Sequence, residues 1–182
     1  MTVPSSLLTT IADLANQLAA AMQQLSLLMR DRDSPQQPLP PATPQELDAL
    51  AHHYSLKGIV LPQSYLAFLA VHNGWGGFSG DSHMLSTGDH ASASVAAAIA
   101  ERQGLNEDQH LSPLVPVLLG LRTSSLAGFL DPGTTTSDGE CDVVLMDGSQ
   151  LLLRSPGFLP FLEEWMRHLE RAIRIQLEGD EP

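Results

Sequence analysis

The sequence predicts an α+β fold: N-terminal helices, a central, mostly antiparallel twisted sheet and a C-terminal amphipathic helix. Three observations carry that prediction. Apolar residues recur at helical spacing over residues 5–30 and again over 157–177. Between Val115 and Arg154 the pattern changes to short apolar runs of strand length, separated by glycine, proline and serine. The last two runs flank Asp147-Gly148, a strong hairpin signal of the type I′ kind.

In the first helix Leu7, Ile11, Leu14, Leu18, Ala21, Leu25 and Leu28 alternate at spacings of four and three, an unbroken a/d seam. Ser5 or Ser6 is the expected N-cap. Such a seam serves equally to dock the helix on its own domain or to pair two copies as a homodimer through residues 5–30. Leu8, Met22 and Met29 widen the face and favour docking, whereas Gln17, Gln23 and Gln24 outside it are compatible with pairing. Residues 31–42 carry a run of prolines with Ser and Gln and read as an extended linker. The organisation expected is thus a helix over 1–30, a linker over 31–42, a domain over 43–178 and a short tail over 179–182.

The domain opens at Thr43-Pro44-Gln45-Glu46, an N-cap, a proline at N1 and a Glu at N3, which together make a capping box. Leu47, Leu50 and Tyr54 line one face of that helix, and Lys57-Gly58 ends it. A second short helix starts at Leu61-Pro62, buries Tyr65, Phe68, Leu69 and Val71, and stops at Asn73-Gly74, residues that tolerate φ > 0. Residues 76–90 are glycine-rich, with a short strand expected at His83-Met84-Leu85. The alanine-rich stretch 91–104 reads as helix and 105–113 as loop. Strands are expected over Val115 to Leu121, Leu126 to Leu130, Asp142 to Met146 and Gln150 to Arg154, with Ser149 already in the last of them. In the final helix Phe158, Leu162, Trp165, Leu169, Ile173 and Leu177 form the apolar face, with Ser155 as cap and Pro156 at N1.

A chain of 182 residues, 43% of them hydrophobic, is enough for one domain with a sizeable core. Cys141 is the only cysteine, so no intramolecular disulfide can form and a reducing compartment fits. The N-terminus lacks the basic region of a signal peptide, and no apolar run approaches the roughly 18 residues of a membrane span. The expectation is a cytoplasmic protein that does not engage a membrane. Net charge is −12, which argues against a nucleic-acid partner, because phosphate binding needs clustered Lys and Arg. Between Gly58 and Leu153 only Arg102 and Arg122 are basic, against ten acids that include Asp81, Asp131, Asp138, Glu140, Asp142 and Asp147. A one-signed region of this kind steers a basic partner.

The segment Leu61-Pro62-x-x-Tyr65-x-x-Phe68-Leu69, followed by Asn73-Gly74, resembles the signature of the SUKH superfamily, also called the SMI1/KNR4 family. Weaker correspondences follow in order: Leu114-Val115-Pro116-Val117, then Gly128-Phe129-Leu130-Asp131-Pro132, then Phe158-Leu159-Pro160-Phe161-Leu162. Together they cover about residues 43–170. The long first helix, the proline linker and the stretch 91–104 depart from the pattern. The resemblance implies an immunity protein that binds a cognate polymorphic or contact-dependent toxin and occludes its active site. It also leaves room for the family's other role, a non-enzymatic scaffold or regulatory module, here dimerising through the N-terminal helix.

The residues themselves offer no catalytic constellation. There is no Walker loop, G-x-S-x-G, H-E-x-x-H or C-x-x-C. Cys141 lies between Glu140 and Asp142, whose charges disfavour a thiolate. His52 and His53 are adjacent on a helix and point about 100° apart. His72, His83 and His90 sit near Asp81 and Asp89, but at no spacing specific to a metal. The expectation is therefore a non-enzyme without metal or cofactor. Trp75 reads either as core or as an interface anchor. The candidate partner-binding residues are Trp75, Asp81, Asp131, Asp138, Glu140, Asp142 and Asp147, held in place by the structural motif residues Leu61, Pro62, Tyr65, Phe68, Leu69, Asn73 and Gly74.

Overall fold

The structure, a computed structural model, describes residues 3–29, 37–104, 114–120 and 124–179. It is α+β, as the periodicities require. The helices are α1 (Ser5–Leu28), α2 (Pro44–Ser55), α3 (Gln63–Val71), α4 (Ala93–Gly104) and α5 (Phe158–Gly179). The strands are β1 (Gln37–Pro38), β2 (Trp75–Ser79), β3 (Ser82–Met84), β4 (Val115–Gly120), β5 (Leu126–Asp131), β6 (Asp142–Asp147) and β7 (Gln150–Ser155). The seven strands hydrogen-bond in chain order and every pair is antiparallel, so the sheet is a meander.

Alternation along the strands gives the sheet two apolar faces. Val117, Leu130, Val143 and Leu145 join one large core with α1, α3 and α5, built around Ile11, Leu18, Met22, Tyr65, Phe68, Trp75, Phe158 and Phe161. Ala127 and Phe129 point the other way and pack with Leu85, Leu119 and Val95 of α4.

The N-terminal helix is not an appendage. Ile11, Ala15, Leu18, Ala21 and Met22 are buried, and α1 packs chiefly on α5 and α3 of its own chain. The seam that could have paired two copies through residues 5–30 is occupied in cis. The linker expected over 31–42 thus joins a helix and a domain that share one core. Its second half is laced to the domain as well: β1 pairs with β2, Leu39 N donates to Gly74 O (3.0 Å) and Ala42 N to Leu69 O (2.9 Å). Residues 31–36 of the linker, the loop 105–113 and the end of the tail lie outside the described residues.

Local chemistry explains most element ends. The Thr43 capping box forms: Glu46 N donates to Thr43 Oγ1 at 3.3 Å, and Thr43 N to Glu46 Oε2 at 2.7 Å. Other ends differ by small steps. Pro4, not Ser5 or Ser6, occupies the N-cap of α1, and Pro62 is the N-cap of α3 rather than its first residue. Asp147 pairs with Gln150, so the hairpin turn is Gly148-Ser149, with Gly148 at φ +57. Ser155 closes β7 instead of capping α5, and its buried hydroxyl has no hydrogen-bond partner among the described residues. The stretch 75–79 is a strand despite two glycines, because Trp75 and Phe78 carry enough apolar surface to seat it.

Candidate functional site

The acidic residues picked out by the sequence fall on three separate places. The first is the end of the β5–β6 ladder. Asp131 and Asp142 are register partners there, and Arg154 of β7 lies over both, with Nη1 at 3.2 Å from Asp131 and 2.9 Å from Asp142. In sequence these acids have no basic residue among them; the sheet brings one from just beyond the acidic stretch. The pairing is 43% exposed on the arginine side, so its contribution to stability is about 0–1 kcal/mol. Its main effect is to cancel charge.

The second place is the turn 136–140. Gly139 N donates to Thr136 O and Thr136 N to Glu140 O, which closes the loop. Asp138 lies at its exposed tip and accepts a hydrogen bond from the Thr136 hydroxyl. That bond holds the Asp138 carboxyl below its ordinary value, so it is charged at neutral pH. Glu140 does something else. Its Oε1 accepts from Ser64 N (3.1 Å) and its Oε2 from Ser64 Oγ (2.5 Å). Pro62 has no side chain able to cap α3, so a carboxylate distant in sequence takes an orphan N–H of the first turn and faces the positive end of the helix. Glu140 is therefore part of the scaffold, not a free partner contact. Glu140→Ala is expected to lower stability by about 1–3 kcal/mol. Urea denaturation measures it, and an unchanged midpoint would discard the cap.

The third place is the far end of β6. Asp147 is exposed and accepts from the Ser125 hydroxyl. Five residue steps at about 3.4 Å put it about 17 Å from Asp142. That exceeds the Debye length of about 8 Å at physiological salt, so the acids do not act as one patch. Asp81 is apart again: it is half-buried and its Oδ2 accepts from Ser124 N at 3.1 Å.

Trp75 is wholly buried, so it is no interface anchor. It stands edge-on to Phe78, which stacks on Trp165 of α5 at 5.4 Å between ring centroids. A glycine-rich context had left both readings open, and the strand settles it.

Beside the acidic turn runs a groove of about 310 Å³. Leu7, Pro156, Leu159 and Pro160 form apolar walls, and Ser64, Thr136, Asp138 and Glu140 the polar side. It lies where the first turn of α1, the start of α3 and the start of α5 meet. Aliphatic walls with the Asp138 carboxylate on one side suit the stem and head of a lysine or arginine side chain.

The motif residues have a common task that spacing did not show. Leu61, Pro62, Tyr65, Phe68 and Leu69 are buried. Tyr65 Oη lies 2.9 Å from His90 Nε2, and Asn73 Oδ1 accepts from Thr87 N at 2.7 Å. Gly74 has φ +92 and its α-carbon passes so close to Met84 O and Ser86 N that a β-carbon would lie 2.8 and 2.9 Å from them. All three hold the segment 84–90 against α3.

The histidines do not converge. His83 Nδ1 accepts from Gly77 N, His72 stands edge-on to Trp75, and His90 bridges two tyrosines. Among the described residues no group of three or more His, Cys, Asp or Glu could hold a metal ion. The Cys141 thiol is pushed up to about 12, chiefly by burial and then by the charges of Glu140 and Asp131. None of the described helices is long and apolar enough to cross a membrane. Compared with protein-family models and with curated proteins, the chain matches none.

Proposed function

We propose that the protein is an immunity protein of SUKH type, which binds a cognate toxin domain in the cytoplasm and occludes its active site without catalysis of its own. The observation that carries this reading is the exposed Asp138 turn beside a groove with apolar walls and an acidic side. The groove fits a basic residue of the partner, and the fold spends no mobile element on it: the turn is closed by its own hydrogen bonds. The signature segment supports the reading as a scaffold, because its apolar residues are buried and Asn73 and Gly74 seat the segment after β3. The scaffold alternative needed the N-terminal helix for dimerisation, and that helix is engaged within its own chain.

The acids that remain free to meet a partner are Asp138 and Asp147. Asp138→Lys is expected to slow association with the toxin domain by about 3–10-fold at low salt and to flatten its salt dependence. Asp147→Lys, on the distant end of β6, is expected to change the rate much less. Stopped-flow association at two ionic strengths measures both. Equal rates for Asp138→Lys and the parent protein would remove the groove from the interface, and failure to co-purify with any co-expressed toxin domain would remove the immunity function itself.

A further inference from the structure

His90 lies in the turn Asp89–Ala91 and is held from two sides. Its Nδ1 is 2.8 Å from Tyr54 Oη of α2, and its Nε2 is 2.9 Å from Tyr65 Oη of α3. A neutral imidazole has one donor and one acceptor, so the two phenols must play opposite parts. Tyr65 is wholly buried, and its hydroxyl proton has no other acceptor among its described contacts. Tyr65 therefore donates to Nε2. The ring proton then sits on Nδ1 and is donated to Tyr54, which lies at the edge of the buried region.

An imidazolium cannot keep this arrangement, because both nitrogens would be donors. The Tyr65 O–H would have to turn away from the ring, and none of its other described contacts offers it an acceptor. The same turn closes a cavity of about 350 Å³ between α2 and residues 87–91, lined by Glu46, His53, Thr87 and His90 among others. Among the described residues, the Asn73–Thr87 hydrogen bond, the seat at Gly74 and, just before it, the Leu85 N to Val117 O hydrogen bond also anchor the segment.

We propose that His90 is an acid-released latch, which holds residues 86–91 over α2 and α3 while neutral and lets the segment open when protonated. The charged groups that face it act in both directions. Asp89, its neighbour, favours the imidazolium, but its carboxylate is engaged by Ser86 N and Ser86 Oγ at 2.8 Å each. His53 on α2 and Lys57 in the turn after it oppose the charge, and Lys57 stands over the Tyr54 ring. Glu46 lines the cavity from α2 but is held in the Thr43 capping box. Burial outweighs them all and pulls the His90 value down to about 4 from its ordinary 6.5. A lowered value means that the closed form is favoured fully above pH 6.5, and that the advantage is lost as pH falls from 6.5 toward 4. For an open segment in which His90 titrates normally, the open population rises roughly 30-fold by pH 5 and approaches roughly 300-fold below pH 4.

The test uses the full chain. Long-range proton–nitrogen spectra of His90 across pH 3.5–7.5 report its tautomer and its titration. Amide hydrogen exchange reports opening of 86–91 against the β5–β6 ladder as an internal reference. The expected result is an Nδ1–H tautomer, titration well below 6.5 and faster exchange confined to 86–91 as pH falls, after correction for intrinsic exchange. His90→Gln keeps an acceptor toward Tyr65 and does not titrate, so its exchange ratio should stay flat. An Nε2–H tautomer, titration near 6.5, or the same acid dependence in His90→Gln would overturn the latch. If His90→Gln does not fold, the tautomer and titration of the parent protein decide alone. The Asp138 kinetics do not involve His90, so either proposal can fail without the other.

Discussion

A chain lacking residues 1–36 does not fold cooperatively. The expectation follows from what α1 covers. Ile11, Leu18 and Met22 are at most 1% exposed, and each buried side chain of this size contributes about 1.5–3 kcal/mol. The three together represent roughly 5–9 kcal/mol, against a total stability of about 5–15 kcal/mol for an ordinary domain. Deletion also bares the surfaces of α3 and α5 on which the helix lies, so the truncated chain is left with an apolar trough. The entropy of ordering α1 is recovered, but the trough has nothing else to fill it. Circular dichroism with thermal melting and size-exclusion chromatography of residues 37–182 checks this. A broad, non-cooperative transition and aggregation are expected. A soluble monomer with a sharp transition would mean that α1 is an accessory after all.

That helix marks where the sequence stops being legible. A run at spacings of four and three fixes a helix and the face it buries, but not whose surface covers that face. The proline linker pointed to separation, and chain connectivity said nothing of the return path. By contrast, periodicity located α5 and the strands β4 to β7 to within a residue or two, because the helix repeats its apolar face along its length and each strand is an apolar run punctuated by Gly, Pro or Ser. The Thr43 capping box was legible for the same reason: all of its parts lie within one turn.

The candidate site was legible as composition and not as arrangement. Asp131, Asp138, Glu140, Asp142 and Asp147 share a stretch of sequence, yet the sheet sends Asp147 to the opposite end of β6 and lays Arg154 across Asp131 and Asp142. Register decides this, and register depends on pairings that no local window contains. The Glu140–Ser64 cap is the clearest case, since its two residues are 76 positions apart. A hint was present: α3 begins after a proline with no capping side chain, so some other group had to supply the acceptor. The tyrosine–histidine bridge had no such hint, because neither Tyr54 nor Tyr65 carries any sign of a partner at position 90.

Gly74→Ala should be as damaging as truncating a buried side chain of the signature segment. Two penalties add there. At φ +92 an L side chain is strained, which costs about 1–2 kcal/mol. The new β-carbon would also stand 2.8 Å from Met84 O and 2.9 Å from Ser86 N. Those atoms are backbone and cannot rotate away, so β3 and the segment after it must shift, at the roughly 1–3 kcal/mol typical of overpacking. The sum is about 2–5 kcal/mol. Gly58 separates the two terms, because it too has positive φ, at +75, but a β-carbon there would meet nothing within 4 Å. Gly58→Ala should therefore cost only about 1–2 kcal/mol. The difference between the two variants, measured by urea denaturation, isolates the close approach of α3's exit to the segment 84–86. Equal losses at the two positions would mean that the segment yields freely, and that Gly74 answers only to its own backbone angle.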